Sequence, residues 1–134
     1  MKYFLLTTAL LFFVAITYAQ KTDAPNATDC RRFRNGTFKI TDEKVGNFTI
    51  VRKGNIQTET KEGDSESLIF HVQWIDDCTY TLTPGEAFHK KFPMMPANVV
   101  ITVNIIKTSP NSYTQRSSAN FSALVLVSEM VKIK

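Results

Sequence analysis

Ser67–Thr83 reads SLIFHVQWIDDCTYTLT. Leu68, Phe70, Val72 and Trp74 recur at every second position, and beyond Asp76-Asp77 the alternation resumes with Tyr80 and Leu82. A period of two places alternate side chains on one face of an extended chain, so this stretch is two strands with a shared buried face. The same period extends outward in both directions. Toward the N-terminus, Phe48, Ile50 and Arg52 alternate with Thr49, Val51 and Lys53. Gly54-Asn55 then turns the chain, and Ile56–Lys61 returns as the second arm of a hairpin with a two-residue loop. Thr37–Thr41 is a shorter β-prone run after Asn35-Gly36, and Glu62-Gly63-Asp64 marks a further turn.

Toward the C-terminus, Pro84-Gly85 ends the alternation, and Glu86–Phe92 (EAFHKKF) is the one stretch with helical spacing, stopped by Pro93. Pro93-Met94-Met95-Pro96 is a rigid connector, and with the helix it forms a candidate lid over one end of a barrel. Val99–Thr108 (VVITVNIIKT) is the strongest strand, turned by Ser109-Pro110-Asn111. Ser112–Ser117 follows as a polar, edge-like strand, and Phe121–Val127 and Met130–Ile133 close the chain. The expected fold is therefore all-β, an antiparallel meander of about eight short strands with one short helical segment. Two architectures fit that order: a calycin- or lipocalin-like barrel, or a small β-sandwich. The Cys-Trp-Cys order of an immunoglobulin sandwich is absent, because Trp74 lies only four residues before Cys78.

The chain has 134 residues, 43% hydrophobic and 21% charged, which bounds it to one domain and excludes a disordered or low-complexity protein. Residues 1–19 read as a signal peptide: Lys2, the apolar run Tyr3–Ile16, then Thr17-Tyr18-Ala19 before Gln20. The apolar run falls short of the roughly 20 residues needed to span a bilayer. The expected product is exported, periplasmic or extracellular, with no membrane span after cleavage. Gln20–Asp29 reads as a flexible leader and residues 30–134 as a single β domain. The net charge of +4 is a mild excess, and its one cluster, Arg31, Arg32 and Arg34, lacks the aromatic ladder of a nucleic-acid surface. A nucleic-acid partner is not expected.

Cys30 and Cys78 are the only cysteines, and an even pair in an exported chain reads as a disulfide. The competing metal site would add His71 and His89, but no CxxC or HxxxH spacing supports it, so neither metal nor cofactor is expected.

Cys30-x-x-Phe33-Arg34-x-Gly36-x-Phe38 and Val72-x-Trp74-Ile75-x-x-Cys78-x-Tyr80-x-Leu82 resemble the pattern of small exported proteins of Bacteroidetes, a group of uncharacterised function. The likeness continues through Val103–Thr108, Ser112-Tyr113-Thr114 and Lys132-Ile133. It implies that Cys30 and Cys78 pair, since both sit inside matching segments, and it carries over no catalytic or binding residue. The name DNA topoisomerase IV, attached to some similar sequences, requires a nucleotide-binding domain and a large cleavage core that this length cannot hold. Four N-x-[ST] sequons, at Asn26, Asn35, Asn47 and Asn120, would be glycan acceptors in a eukaryotic pathway; with a bacterial likeness they read as a by-product of composition.

Candidate chemistry is sparse. Asp76 and Asp77 are adjacent, so on a strand they point to opposite faces and make no acid–base pair. His71 is out of phase with Phe70 and Val72 and reads as solvent-facing; His89 lies beside Lys90 and Lys91 on the helix. No nucleophile elbow, zinc-protease motif or phosphate loop occurs, and no enzyme is expected. Phe38, Phe70, Trp74, Tyr80, Phe88 and Phe92 are the candidate pocket-lining residues, although an eight-stranded interior is narrow enough for side chains to fill. The leading expectation is a non-enzymatic β domain that binds a small apolar ligand or a cell-envelope component. The alternative is a structural or protein-interaction sandwich acting through the edge Ser112–Ser117.

Overall fold

A computed structural model describes residues 25–134. The proposed signal peptide and most of the proposed leader lie outside the described residues. Eight antiparallel strands form a closed barrel in simple meander order. They are β1 (Gly36–Asp42), β2 (Gly46–Lys53), β3 (Ile56–Lys61), β4 (Ser67–Trp74), β5 (Thr79–Pro84), β6 (Ile101–Thr108), β7 (Ser112–Ala119) and β8 (Val125–Lys132). Two short helices accompany them, α1 (Ala27–Arg31) and α2 (Glu86–Lys91). Of the two expected architectures, the barrel is the one formed.

Turn chemistry sets the register. Gly54 sits at φ +59°, in the first loop position between Lys53 and Ile56, where a residue with a side chain would be strained. The pairing that follows opposes Arg52 to Gln57 and Ile50 to Glu59. One inner face thus carries Phe48, Ile50 and Arg52 on β2 and Gln57 and Glu59 on β3.

The lower end of the barrel is sealed. α1 is capped by Asn26, whose side chain accepts a hydrogen bond from the Asp29 N–H at 2.9 Å. Cys30 is fully buried and forms a disulfide with Cys78 in the β4–β5 connection. Of the expected leader Gln20–Asp29, Ala27–Asp29 belong to this capped helix. Phe33, 1% exposed, plugs the barrel floor against Tyr113, ring centroids 5.1 Å apart. At Gly36 a Cβ would stand 2.7 Å from the Lys134 carbonyl oxygen, so this glycine lets the C-terminus pack close enough for the Thr37 N–H to donate to that oxygen.

Two further expectations change. Ser112–Ser117 is not an edge: β7 is hydrogen-bonded to β6 on one side and β8 on the other. Phe121–Val127 and Met130–Ile133 are not separate strands, since 125–132 run as one β8. Meander order explains the first, because β7 lies between its sequence neighbours β6 and β8; the second follows from β8 pairing continuously with β7 from Val125 to Val131.

The seam between first and last strands is uneven. β1 and β8 pair at Phe38↔Lys132 and Lys39↔Val131. β1 and β2, by contrast, pair along their full length, from Gly36↔Arg52 to Asp42↔Gly46. The upper halves of β1 and β8 therefore diverge, and Ile40 and Asp42 face Leu126, Ser128 and Met130 across an opening into the lumen.

Candidate functional site

Arg52 decides the character of the interior. It is 1% exposed, and an arginine keeps its charge at every accessible pH, so it must be surrounded by acceptors. Its Nε donates to Gln57 Oε1 at 2.8 Å, and its Nη1 donates to the Phe33 carbonyl oxygen at 2.8 Å. Its Nη2 donates to the hydroxyls of Tyr80 and Tyr113, at 2.8 and 2.9 Å. The guanidinium also lies 4.5 Å from the Tyr80 ring centroid and 5.1 Å from that of Phe38. The alternation along β2 delivers Arg52 to this place, in phase with Phe48 and Ile50 and at the sealed end.

Two polar branches rise from it. On one, Gln57 Nε2 donates to Glu59 Oε1 at 2.8 Å. On the other, the Tyr80 hydroxyl donates to Gln115 Oε1 at 3.2 Å, and Gln115 Nε2 donates to Ser128 Oγ at 3.2 Å. Glu59 is half-buried and borders both the lumen and a neighbouring groove that carries Lys61 and Lys91. Burial pushes its pKa above the ordinary 4.5, opposed by the Gln57 hydrogen bond and the Arg52 charge. Burial also pushes the Tyr80 phenol well above its usual range, so both its proton and its donor role are kept.

Above this network the lumen widens into a cavity of about 320 Å3. Ile40, Phe48, Ile50, Leu82, Val103 and Met130 supply apolar wall, and Glu59, Gln57, Gln115 and Ser128 supply polar floor. The size is at the lower end for small-molecule sites, and the mix of apolar wall and few convergent polar groups is typical of them. At ~30 Å3 per water-sized group it holds about ten non-hydrogen atoms. At the mouth, Asp42 accepts from the backbone N–H groups of Lys44 and Val45, at 2.7 and 2.9 Å. The Val45 and Lys44 hydrogen bonds hold its carboxyl below the usual carboxylate range.

The expected pocket residues distribute unevenly. Tyr80 lines the cavity. Phe38 and Trp74 belong to the sealed end around Arg52, with Trp74 and Tyr80 centroids 4.6 Å apart. Phe70 and Phe88 pack edge to face, 5.9 Å apart, and anchor α2 against β4. Phe92 lines a neighbouring groove with Leu68 and Lys91, which shares Lys44, Val45, Phe48 and Glu59 with the cavity lining. Aliphatic side chains do most of the lining instead. The sequence reading missed Gln57, Glu59, Gln115 and Ser128, although the available signal was polar residues in phase with buried ones, such as Arg52 after Phe48 and Ile50.

His71 is exposed on the outer wall and His89 half-buried on α2. Asp77 accepts from Arg34 Nη2 at 3.0 Å, and Arg32 Nη2 donates to the Ser109 carbonyl oxygen at 2.7 Å. Two members of the arginine cluster thus brace the sealed end. Among the described residues no three His, Cys, Asp or Glu side chains converge to hold a metal ion, and no helix is long and apolar enough to cross a membrane. No family model matches the chain, and no curated protein or solved structure matches it.

Proposed function

We propose that this chain is an exported, non-enzymatic barrel that binds a small, mostly apolar ligand in its lumen. The observation that carries the reading is the cavity of about 320 Å3, apolar-walled, polar-floored and open at the divergent upper seam. Export is supported by the N-terminal sequence pattern and by the Cys30–Cys78 disulfide, a bond that persists in oxidising compartments. A binding role is favoured over catalysis because the lumen's strongest polar groups, Arg52 and Tyr80, are consumed by each other and by Gln57 and Gln115. A cell-envelope protein remains the alternative partner. One observation favours it: the outer face of β8 exposes Val125, Val127 and Val131 beside the seam.

Native mass spectrometry of the chain purified from its producing cells tests the reading. A retained small-molecule adduct that disappears in Ser117→Phe, which fills the lumen from β7, supports it. Absence of an adduct, together with no uptake of an apolar fluorescent dye by the unsubstituted chain, overturns it and transfers the proposal to the β8 face.

A further inference from the structure

A buried arginine in a ligand-binding barrel suggests an anionic ligand, such as a carboxylate. The hydrogen-bond directions in this lumen argue the opposite. Arg52 carries donors only, so the Gln57, Phe33, Tyr80 and Tyr113 oxygens around it all act as acceptors. Because Gln57 Oε1 accepts from Arg52, its amide is oriented, and Nε2 must point to Glu59. The Tyr80 and Tyr113 hydroxyls are 3.2 Å apart. Tyr80 gives its proton to Gln115, so Tyr113 gives its own to Tyr80. The guanidinium is thus sealed beneath two tyrosines and a glutamine, and the charged group on the cavity floor is the Glu59 carboxylate.

Glu59 Oε1 accepts from Gln57, while among the described residues Oε2 has no hydrogen-bond partner. Glu59 borders the lumen among aliphatic side chains, where a donor on a ligand would add to the one hydrogen bond it accepts from Gln57. The cavity's charge pattern points the same way. Its lining holds two carboxylates, Asp42 and Glu59, against the single ammonium of Lys44, although the chain as a whole carries +4. The other nearby cation, Arg52, lies below the floor and is already hydrogen-bonded to Gln57, Phe33, Tyr80 and Tyr113.

We propose that the lumen takes a small apolar amine, its ammonium group donating to Glu59 and its hydrocarbon body lying against Ile40, Ile50, Val103 and Met130. The inference rests on the lumen-binding reading above and specifies its ligand. A charge-assisted hydrogen bond to Glu59 gives the orientation, with the head inward and the tail toward the β1–β8 opening. An anionic head would meet Glu59 before it could reach Arg52. Size restricts the ligand to about ten non-hydrogen atoms, which excludes long-chain lipids from complete enclosure.

Isothermal titration of the full exported chain with n-octylamine, n-octanol and n-octanoate decides the matter. These probes share a tail and differ in the head group. The expected order is octylamine tightest, octanol about ten-fold weaker, consistent with the difference between charged and neutral hydrogen bonds, and octanoate weakest. Glu59→Gln keeps the side-chain shape and the Gln57 contact; in that chain octylamine and octanol should bind alike. Non-specific attraction cannot produce this order, because the chain's net positive charge repels the amine. Octanoate binding as tightly as octylamine overturns the amine proposal while leaving the lumen reading intact, provided Ser117→Phe abolishes the binding. If no probe binds, or Ser117→Phe leaves binding unchanged, both readings fail. The head-group order on the unsubstituted chain is decisive by itself where a variant does not fold.

Discussion

The two ends of the barrel are built on opposite principles. At the lower end a charge is buried and its polar neighbours are recruited to it: Arg52 joins β2 to β3, β5, β7 and the Phe33 segment through hydrogen bonds to four residues. The disulfide, the Phe33 plug and the paired part of the β1–β8 seam reinforce the same region. At the upper end, polar atoms are left facing a cavity, the seam opens, and large apolar side chains such as Leu124, Leu126 and Val127 stand more than half exposed. The contrast teaches that stability and binding are separated along the barrel axis. The sealed end tolerates an internal opening above it because it fixes strand order and register from below.

The largest effect is expected from Arg52→Ala. It strands two phenols, a glutamine and a carbonyl in a dry interior, and should destabilise the chain by about 3–5 kcal/mol, read as a lower urea midpoint. A loss below about 1 kcal/mol would mean that the sealed end is not organised by Arg52. The Cys30→Ser/Cys78→Ser chain should follow, losing roughly 2–4 kcal/mol, with about 4 kcal/mol as the chain-entropy bound for a separation of 48 residues. Unchanged stability on reduction would show that α1 contributes little to closure.

Native-state hydrogen exchange compares the two halves of the seam directly. Lys39 and Val131 are register partners, and continuing that register would place Thr41 opposite Glu129, which are not paired. The Thr41 and Glu129 amides should exchange on the order of a hundredfold faster than those of Lys39 and Val131. Equal protection would close the proposed opening.

Glu59 sharpens the comparison through pH. Its folded-state pKa is raised, so the folded chain binds more protons than the unfolded one above pH 4.5. Its contribution is therefore most favourable below the unfolded value and is lost as pH rises through the folded one. Thermal midpoints of the unsubstituted chain should fall across that window relative to Glu59→Gln. Parallel curves would place Glu59 in ordinary solvent. The smallest effect belongs to Leu126→Ala at the mouth. Leu126 is 57% exposed, so its truncation should cost under about 0.5 kcal/mol while still weakening ligand retention. A loss of several kcal/mol there would mean that the upper end is packed like the lower.

Much of the wall was legible in the sequence. The alternation in Ser67–Thr83 and the Gly54-Asn55 loop place β3 to β5 within a residue of their observed bounds, while β2, expected from Phe48, begins two residues earlier at Gly46. Helix α2, expected over Glu86–Phe92, ends one residue earlier at Lys91. α1 was illegible because a five-residue helix has little propensity signal and is held by a cap and a disulfide. The site was less legible than the wall. Aromatic residues attract attention as pocket linings, but Phe38 and Trp74 are drawn toward the Arg52 charge and Phe70 toward α2, leaving the cavity to aliphatic residues.

By itself the sequence determined the strands up to β7, their order, the hairpin turns and the pairing partner of each cysteine, because these follow from period-two patterning, loop residues and an even count. Only the tertiary structure decided that the sheet closes, that Ser112–Ser117 has neighbours on both sides, and that Arg52, Gln57, Tyr80, Tyr113 and Gln115 meet. The physical reason is that alternation says which face a side chain takes but not its height along the barrel. Height is set by the stagger accumulated around eight paired strands, a property of closure that no single segment contains.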